Sequence, residues 1–351
     1  MCIKDMIIGT YTKSLDFEFQ KELSNQGANS YVFIGKDKQL DNTLLYKRIE
    51  KCTINTEDYF KEARLLCANR HQYIVNISYG CYDDKYVYVG MPFYEKGSIK
   101  DKISKGNSLT PKEVIRYATH FLTGLNHIHS KGLIHFDIKP DNILISDEDE
   151  ALLSDFGLAK QMELGVANPD KIYKMHYTPE YLSNMPSDIR SDIYQVGLTL
   201  YRMLNGYESL NDQIQEKGVI TVADIIDGKF PNRKRYLPHI PSSLIRIVNK
   251  CLNPNPNDRY NTVLELLNDL GSIPANNNLT WKYTRNAQSE EWTRIDLNGT
   301  KYCVTVKYSE NYSIFVTKEG KKRKQQISQY CYNNINNNEK DKSLKKIFKE
   351  L

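Results

Sequence analysis

Hydrophobic periodicity changes twice along this chain of 351 residues, and that limits the architectures open to it. Residues 17–50 read as three short strands. "FEFQKEL" alternates, "SYVFIGK" follows a Gly-centred turn, and "TLLYKRI" follows "KDKQLDN". "KYVYVGMPF" (85–93) is a further strand, and "TEDYFKEARLLCA" (56–68) places apolar positions 59, 60, 63, 66 and 67 at helical spacing. From Thr110 the period lengthens. Thr110-Pro111-Lys112-Glu113 is a capping box with Pro at the first helical position. It opens a helix whose apolar face runs Val114, Tyr117, Ala118, Phe121, Leu122, Leu125, Ile128, with Gly132 as its stop. More helices are expected near 189–205, 221–227, 241–252 and 262–271. Strands followed by helices predict an α+β fold of two lobes with a cleft between them. "GSIPANNN" (271–278) is a turn-rich break, after which the period returns to two. A hairpin around Asn298-Gly299 and a third strand in "NYSIFVTK" predict a small C-terminal β-meander.

Composition excludes several classes. No run of 18 apolar residues exists, so no membrane-spanning helix is expected, and the N-terminus is a poor signal peptide. Seven cysteines are scattered without a C-x-x-C, which argues against zinc and a disulfide framework and for a reducing cytoplasm. The net charge is +5, yet residues 318–351 alone hold ten Lys/Arg against four Asp/Glu. Any pull toward nucleic acid or another anionic partner therefore lies in this basic C-terminal region. A solvated hairpin end is the favoured reading of "KEGKKRK" (318–324), and the nearby aromatics read as a packed sheet face.

The densest chemistry lies in "LIHFDIKPDNILI" (133–145). Phosphoryl transfer from a nucleotide needs a phosphate cradle, a cation on the phosphates, metal-binding oxygen groups and a carboxylate near the attacking hydroxyl. Asp137 is placed to accept a proton from a hydroxyl nucleophile. Lys139 can neutralise the transferring group, and Asn142 offers a carbonyl oxygen to a hard cation. Asp155, in "LLSDFGL", would add a carboxylate to the same Mg²⁺, with Gly157 allowing a sharp turn. Lys47 ends "LLYK" on a strand from which it can reach phosphates, and Glu62 lies on a helix able to pair with it. His135 reads as a packed core histidine, and Gly27 as either a cradle or a hairpin glycine.

Taken in order, these residues resemble the eukaryotic-type protein kinases over about 17–271. "HFDIKPDN" stands where that family has H-R-D-x-K-x-x-N, "DFG" is intact, and "TPE" (178–180) stands for A-P-E. "SDIYQVG" (191–197), carrying Asp192, matches the family's D-x-W/Y-x-x-G helix, and Arg259 its late arginine, expected to pair with Glu180. The resemblance implies an ATP- and Mg²⁺-dependent enzyme acting on Ser/Thr hydroxyls of protein substrates. It implies that Val32 lines the nucleotide site, Met91 limits the back of the pocket, and Pro92 and Tyr94 supply backbone groups to adenine. Three features depart from the family. The Gly-rich loop "SNQGANSYV" keeps only Gly27, with Asn25 and Ser30 where glycines are expected. Phe136 replaces an arginine that in the family reads a phosphate on the activation loop, which implies activity without loop phosphorylation. Tyr173 stands where the family's Ser/Thr enzymes have Thr.

The implied organisation is an N-terminal extension (1–16) and a kinase domain (17–271) split into N-lobe 17–91, hinge 92–96 and C-lobe 97–271. An accessory β-rich domain (280–332) and an Asn-rich, basic and partly helical tail (333–351) follow. A non-catalytic scaffold of kinase-like fold and a small-molecule phosphotransferase of related fold are the alternative readings.

Overall fold

A computed structural model describes residues 16–23, 31–51, 64, 67, 70–104, 106–169, 172–321 and 323–351. Asn25, Gly27 and Glu62 lie outside the described residues. The chain divides into two compact units, the first formed by residues up to 67 and 76–93, the second by 68–75 and 94–351.

The first unit is built on one antiparallel sheet. Its strands are β1 (Phe17–Leu23), β2 (Tyr31–Asp37), β3 (Asn42–Glu50), β4 (Tyr79–Tyr82) and β5 (Tyr86–Pro92), in the order β1-β2-β3-β5-β4. Register decides which residues share a face. Lys47 pairs with Val32 on one side and Val89 on the other, and Leu45 pairs with Met91. These residues share one face. The opposite face is aromatic, with Phe33 stacked on Tyr46 at 5.1 Å and the Tyr79 hydroxyl donating to that of Tyr46 at 2.6 Å. Residues 70–75 interrupt the expected N-lobe, because they belong to the second unit. The Val75 amide donates to Leu153 O and the Leu153 amide to Tyr73 O, both at 2.9 Å, and Ile74 and Val75 are buried. Two apolar residues in a row with paired backbone groups draw this segment into that core.

The second unit opens with α1 (Ile99–Ile103) and α2 (Pro111–Ser130). The α2 helix keeps the expected capping box, with Thr110 Oγ1 accepting from the Glu113 amide and Glu113 accepting from the Thr110 amide. Four short strands follow: β6 (Leu133–Ile134), β7 (Ile143–Ile145), β8 (Ala151–Leu153) and β9 (Lys160–Gln161). β6 pairs with β9 and β7 with β8, so loops 135–142 and 154–159 leave from two neighbouring ladders. The helices α3 (Pro179–Leu182), α4 (Ile189–Asn205), α5 (Ser209–Lys217), α6 (Val222–Ile226), α7 (Ser242–Cys251) and α8 (Val263–Gly271) complete the helical part. Every residue of α4 from Ser191 to Leu204 is buried. A helix buried on all sides is the centre of its unit, so its polar residues need internal partners.

Beyond α8 the expected hairpin forms. β11 (Ser289–Ile295) and β12 (Lys301–Tyr308) flank Gly299, whose φ of 76° suits a residue without a Cβ. With β10 (Lys282–Arg285), β13 (Tyr312–Glu319), β14 (Lys324–Gln326) and β15 (Tyr332–Ile335) they form a six-stranded sheet. Its packed face carries Trp292, Val304, Val306, Ile314 and Val316. Residues 333–351, set apart above as a tail, end β15 and form α9 (Asn337–Glu350). Leu344, Ile347 and Phe348 sit at helical spacing and are buried against the sheet, while Lys342, Lys345, Lys346 and Lys349 are exposed and Lys340 lies over the Tyr312 ring. The module is joined to the helical part. Leu237 packs on its core, and the Trp292 indole N–H donates to His239 Nδ1 at 2.9 Å. Among the described residues, no helix is long and apolar enough to cross a membrane.

Burial holds His239 neutral by pushing its pKa down from 6.5 to about 3. Unfolded His239 takes up a proton near its ordinary value and the folded residue does not. The stabilisation is therefore complete above pH 6.5 and lost as the pH falls toward 3, by about 1.4 kcal/mol per unit. Denaturation midpoints of wild type and His239→Gln, compared from pH 7.5 down to 5, are expected to converge as the pH falls. Parallel curves would contradict the assignment.

Candidate active site

Loop 135–142 brings three of the expected residues within hydrogen-bond reach. The Lys139 ammonium donates to both oxygens of Asp137, at 2.8 and 2.6 Å. The Asn142 side-chain amide donates to Asp137 O at 2.9 Å and to Asp137 Oδ2 at 2.8 Å. A one-turn 3₁₀ segment over Pro140–Asn142 folds the loop back so that side chains two and five residues from Asp137 converge on it. Both Asn142 N–H groups are spent on Asp137, which leaves its Oδ1 lone pairs for another partner. The Lys139 ammonium also lies 4.9 Å from the centroid of the half-exposed Tyr173 ring.

Asp192 shapes this loop from below. Its fully buried carboxylate accepts from the His135 amide and the Phe136 amide, both at 2.8 Å, and from His129 Nε2 at 2.8 Å. Two consecutive amides can reach one carboxylate because Phe136 sits at φ 63°, a region a bulky residue rarely enters. Its ring is wholly buried. His135 is the packed histidine expected from the sequence. Its Nδ1 accepts from the Asp137 amide at 3.2 Å, its Nε2–H donates to Ser154 O at 3.2 Å, and Phe156 packs edge-on at 4.8 Å. Burial holds its pKa below the ordinary histidine value, so it stays neutral.

Asp155 is tied to the same loop through its neighbour. The Ser154 amide and hydroxyl both donate to Asn142 O at 2.9 Å. The turn expected at Gly157 forms, closed by the Ala159 amide donating to Phe156 O at 2.9 Å, and the left-handed residue beside it is Asp155, at φ 61°. Aspartate tolerates the left-handed region better than most residues, so the glycine need not supply it. Asn142 and Asp155 are hard oxygen donors suited to Mg²⁺, which takes few protein ligands and completes its shell with water and phosphate oxygen. In the first unit, Lys47 shares its sheet face with Val32, Val89 and Met91, and Pro92 ends β5 opposite Leu44. In the second unit, Tyr94 O accepts from the Gly97 amide at 3.0 Å.

Sequence comparison decides the family. A profile for the protein kinase domain matches residues 18–269. The chain belongs to the protein kinase domain family. It is 27% identical to a probable serine/threonine-protein kinase of Clostridium perfringens, over 77% of this chain and 40% of the relative. It is 28% identical to a probable serine/threonine-protein kinase of Clostridium acetobutylicum, over 82% of this chain and 43% of the relative. Identity to the serine/threonine-protein kinase PrkC of Bacillus subtilis is 26%, over 76% of this chain and 42% of the relative. The chain thus spans less than half the length of these curated relatives.

Within this kinase domain, Glu180 and Arg259 make the expected pair. Two guanidinium nitrogens donate to its two oxygens at 2.9 and 2.8 Å, both side chains are buried, and Ser191 Oγ donates at 2.6 Å. Burial works to raise the Glu180 pKa, but the Arg259 hydrogen bonds and charge outweigh it and the net shift is downward. Sequence reasoning missed several polar residues around the loop. Gln195, His176 and Arg202 are buried partners separated in sequence from what they touch, and no local pattern announces them.

Arg259→Met strands a buried carboxylate, so a loss of about 3–5 kcal/mol is expected in chemical denaturation. The double variant Glu180→Gln/Arg259→Met is expected to recover much of it. Equal losses in both would show that the pair is not the source.

Proposed function

We propose that this protein is an ATP- and Mg²⁺-dependent kinase that phosphorylates Ser/Thr hydroxyls of protein substrates in the cytoplasm. The observation that carries the reading is Asp137 fixed by Lys139 and Asn142 within a protein kinase domain. Asp137 orients the substrate hydroxyl and accepts its proton as the oxygen attacks the γ-phosphorus of ATP and the bond to ADP breaks. Lys139, already on the carboxylate, stabilises negative charge on the transferring group. Mg²⁺ bound by Asn142 and Asp155 would neutralise phosphate oxygens. Lys47, oriented by Glu62, would hold the nucleotide phosphates, with Asn25 and Gly27 contributing to the same binding. Val32, Met91, Pro92 and Tyr94 would line the adenine site.

The same reading holds that the loop needs no phosphate. Buried Phe136 offers no cation to one. The stretch 158–177 contains no Ser or Thr, so an enzyme acting on those hydroxyls has no target there in its own loop.

Asp137→Ala is expected to lower transfer of labelled γ-phosphate to a generic basic protein by roughly 10²–10⁴-fold. Asp155→Asn is expected to abolish Mg²⁺-dependent transfer with the fold retained. Turnover surviving in both variants would remove the assignment. Wild type stripped of phosphate by a phosphatase is expected to keep its rate, and a collapse of activity would refute the phosphate-free loop.

A further inference from the structure

We propose that His176 is a positioning residue. Clamped between the Ile138 carbonyl and the Arg202 guanidinium, it fixes segment 172–178 against the catalytic loop in place of a phosphate. The inference rests on the kinase reading above and deepens it.

The chemistry of the partners fixes the state of the imidazole. His176 Nδ1 lies 2.8 Å from Ile138 O, which can only accept, so Nδ1 carries the proton. Its Nε2 lies 3.2 Å from Arg202 Nη1, which can only donate, so Nε2 is bare. The ring is neutral and of one tautomer, and it is fully buried. Burial and the Arg202 charge push its pKa well below the ordinary histidine value.

The position of Ile138 gives the clamp its meaning, since it is the residue between Asp137 and Lys139. Its carbonyl also accepts from Thr199 Oγ1 at 3.2 Å, and its amide donates to Gln195 Oε1 at 3.0 Å. Gln195 Nε2 donates to Phe136 O at 2.9 Å and to His176 O at 3.4 Å. Three polar side chains of α4 thus hold the catalytic loop and the 174–176 turn in one buried network. Arg202 is anchored in turn, with Nε donating to Tyr207 O at 3.2 Å and its guanidinium 3.9 Å from the Tyr207 ring centroid. The His176 amide donates to Tyr173 O at 2.8 Å, closing the turn that sets the Tyr173 ring beside the Lys139 ammonium. Where a loop phosphate and an arginine would tie such a segment down, this chain has Phe136 and no Ser or Thr in 158–177. The neutral clamp does that work continuously.

The full chain tests this through His176→Phe, His176→Asn and the pair His176→Phe/Arg202→Met, which removes the buried cation along with its partner. Asn can still donate to the Ile138 carbonyl. His176→Phe is expected to lower kcat at least ~10-fold with KM for ATP within about threefold of wild type. Amide hydrogen exchange in 172–178 is expected to speed up. The paired variant should match His176→Phe, and His176→Asn should recover most of the rate. A folded His176→Phe or paired variant with wild-type kcat and exchange overturns the clamp, as does an Asn variant no better than Phe. A wild type without transfer defeats the kinase reading instead, and the exchange comparison then decides the clamp alone.

Discussion

One carboxylate holds loop 135–142 in shape. Asp192 is wholly buried, and its oxygens are spent on two successive backbone amides and one imidazole. Burying that charge is costly, and so is the left-handed backbone of Phe136, by about 1–3 kcal/mol for the strain alone. Charge-assisted hydrogen bonds of about 1.5–3 kcal/mol each offset both terms. The result is a turn that delivers Asp137 to the same place in every molecule. Lys139 and Asn142 can then fix its side chain, so on the proposed reading little has to reorganise when substrate arrives.

Much of this was legible because it is local. Offsets of two and five residues from Asp137 on a short loop allow few outcomes, and alternation along β2, β3 and β5 puts Lys47 on a face with Val32 and Met91. The capping box at Thr110 states its own helix start. What stayed hidden has the opposite character. The His176–Arg202 contact joins a loop to a helix interior across 26 positions, and burial rather than pattern defines it. Residues 70–75 were misplaced because two apolar residues do not say which core they enter. The partly helical end expected within 333–351 forms, but its Asn-rich, Lys-rich composition hid that three apolar residues dock it on the sheet. The turn at Gly157 was legible, but the left-handed backbone beside it at Asp155 was not, since aspartate takes that conformation only when neighbours hold it.

Phe136, His176 and the composition of 158–177 fit one physical logic. A phosphate clamp needs a cation positioned to meet two negative charges, and it is reversible because the charge can be removed. A neutral imidazole between a carbonyl and a guanidinium needs no added group and cannot be released by a phosphatase. On the proposed reading, regulation enters elsewhere than through this segment.

The proposed function requires that oxygen ligands from 142 and 155 and an amine from 47 meet around one triphosphate and its cation. Crystals grown with Mn²⁺ and a non-hydrolysable ATP analogue test it through the anomalous signal of the metal. The account predicts a Mn²⁺ peak bonded to Asn142 Oδ1 and an Asp155 oxygen, with the Lys47 ammonium on the phosphates. A metal bound elsewhere, or a nucleotide that reaches neither 47 nor 155, would contradict it.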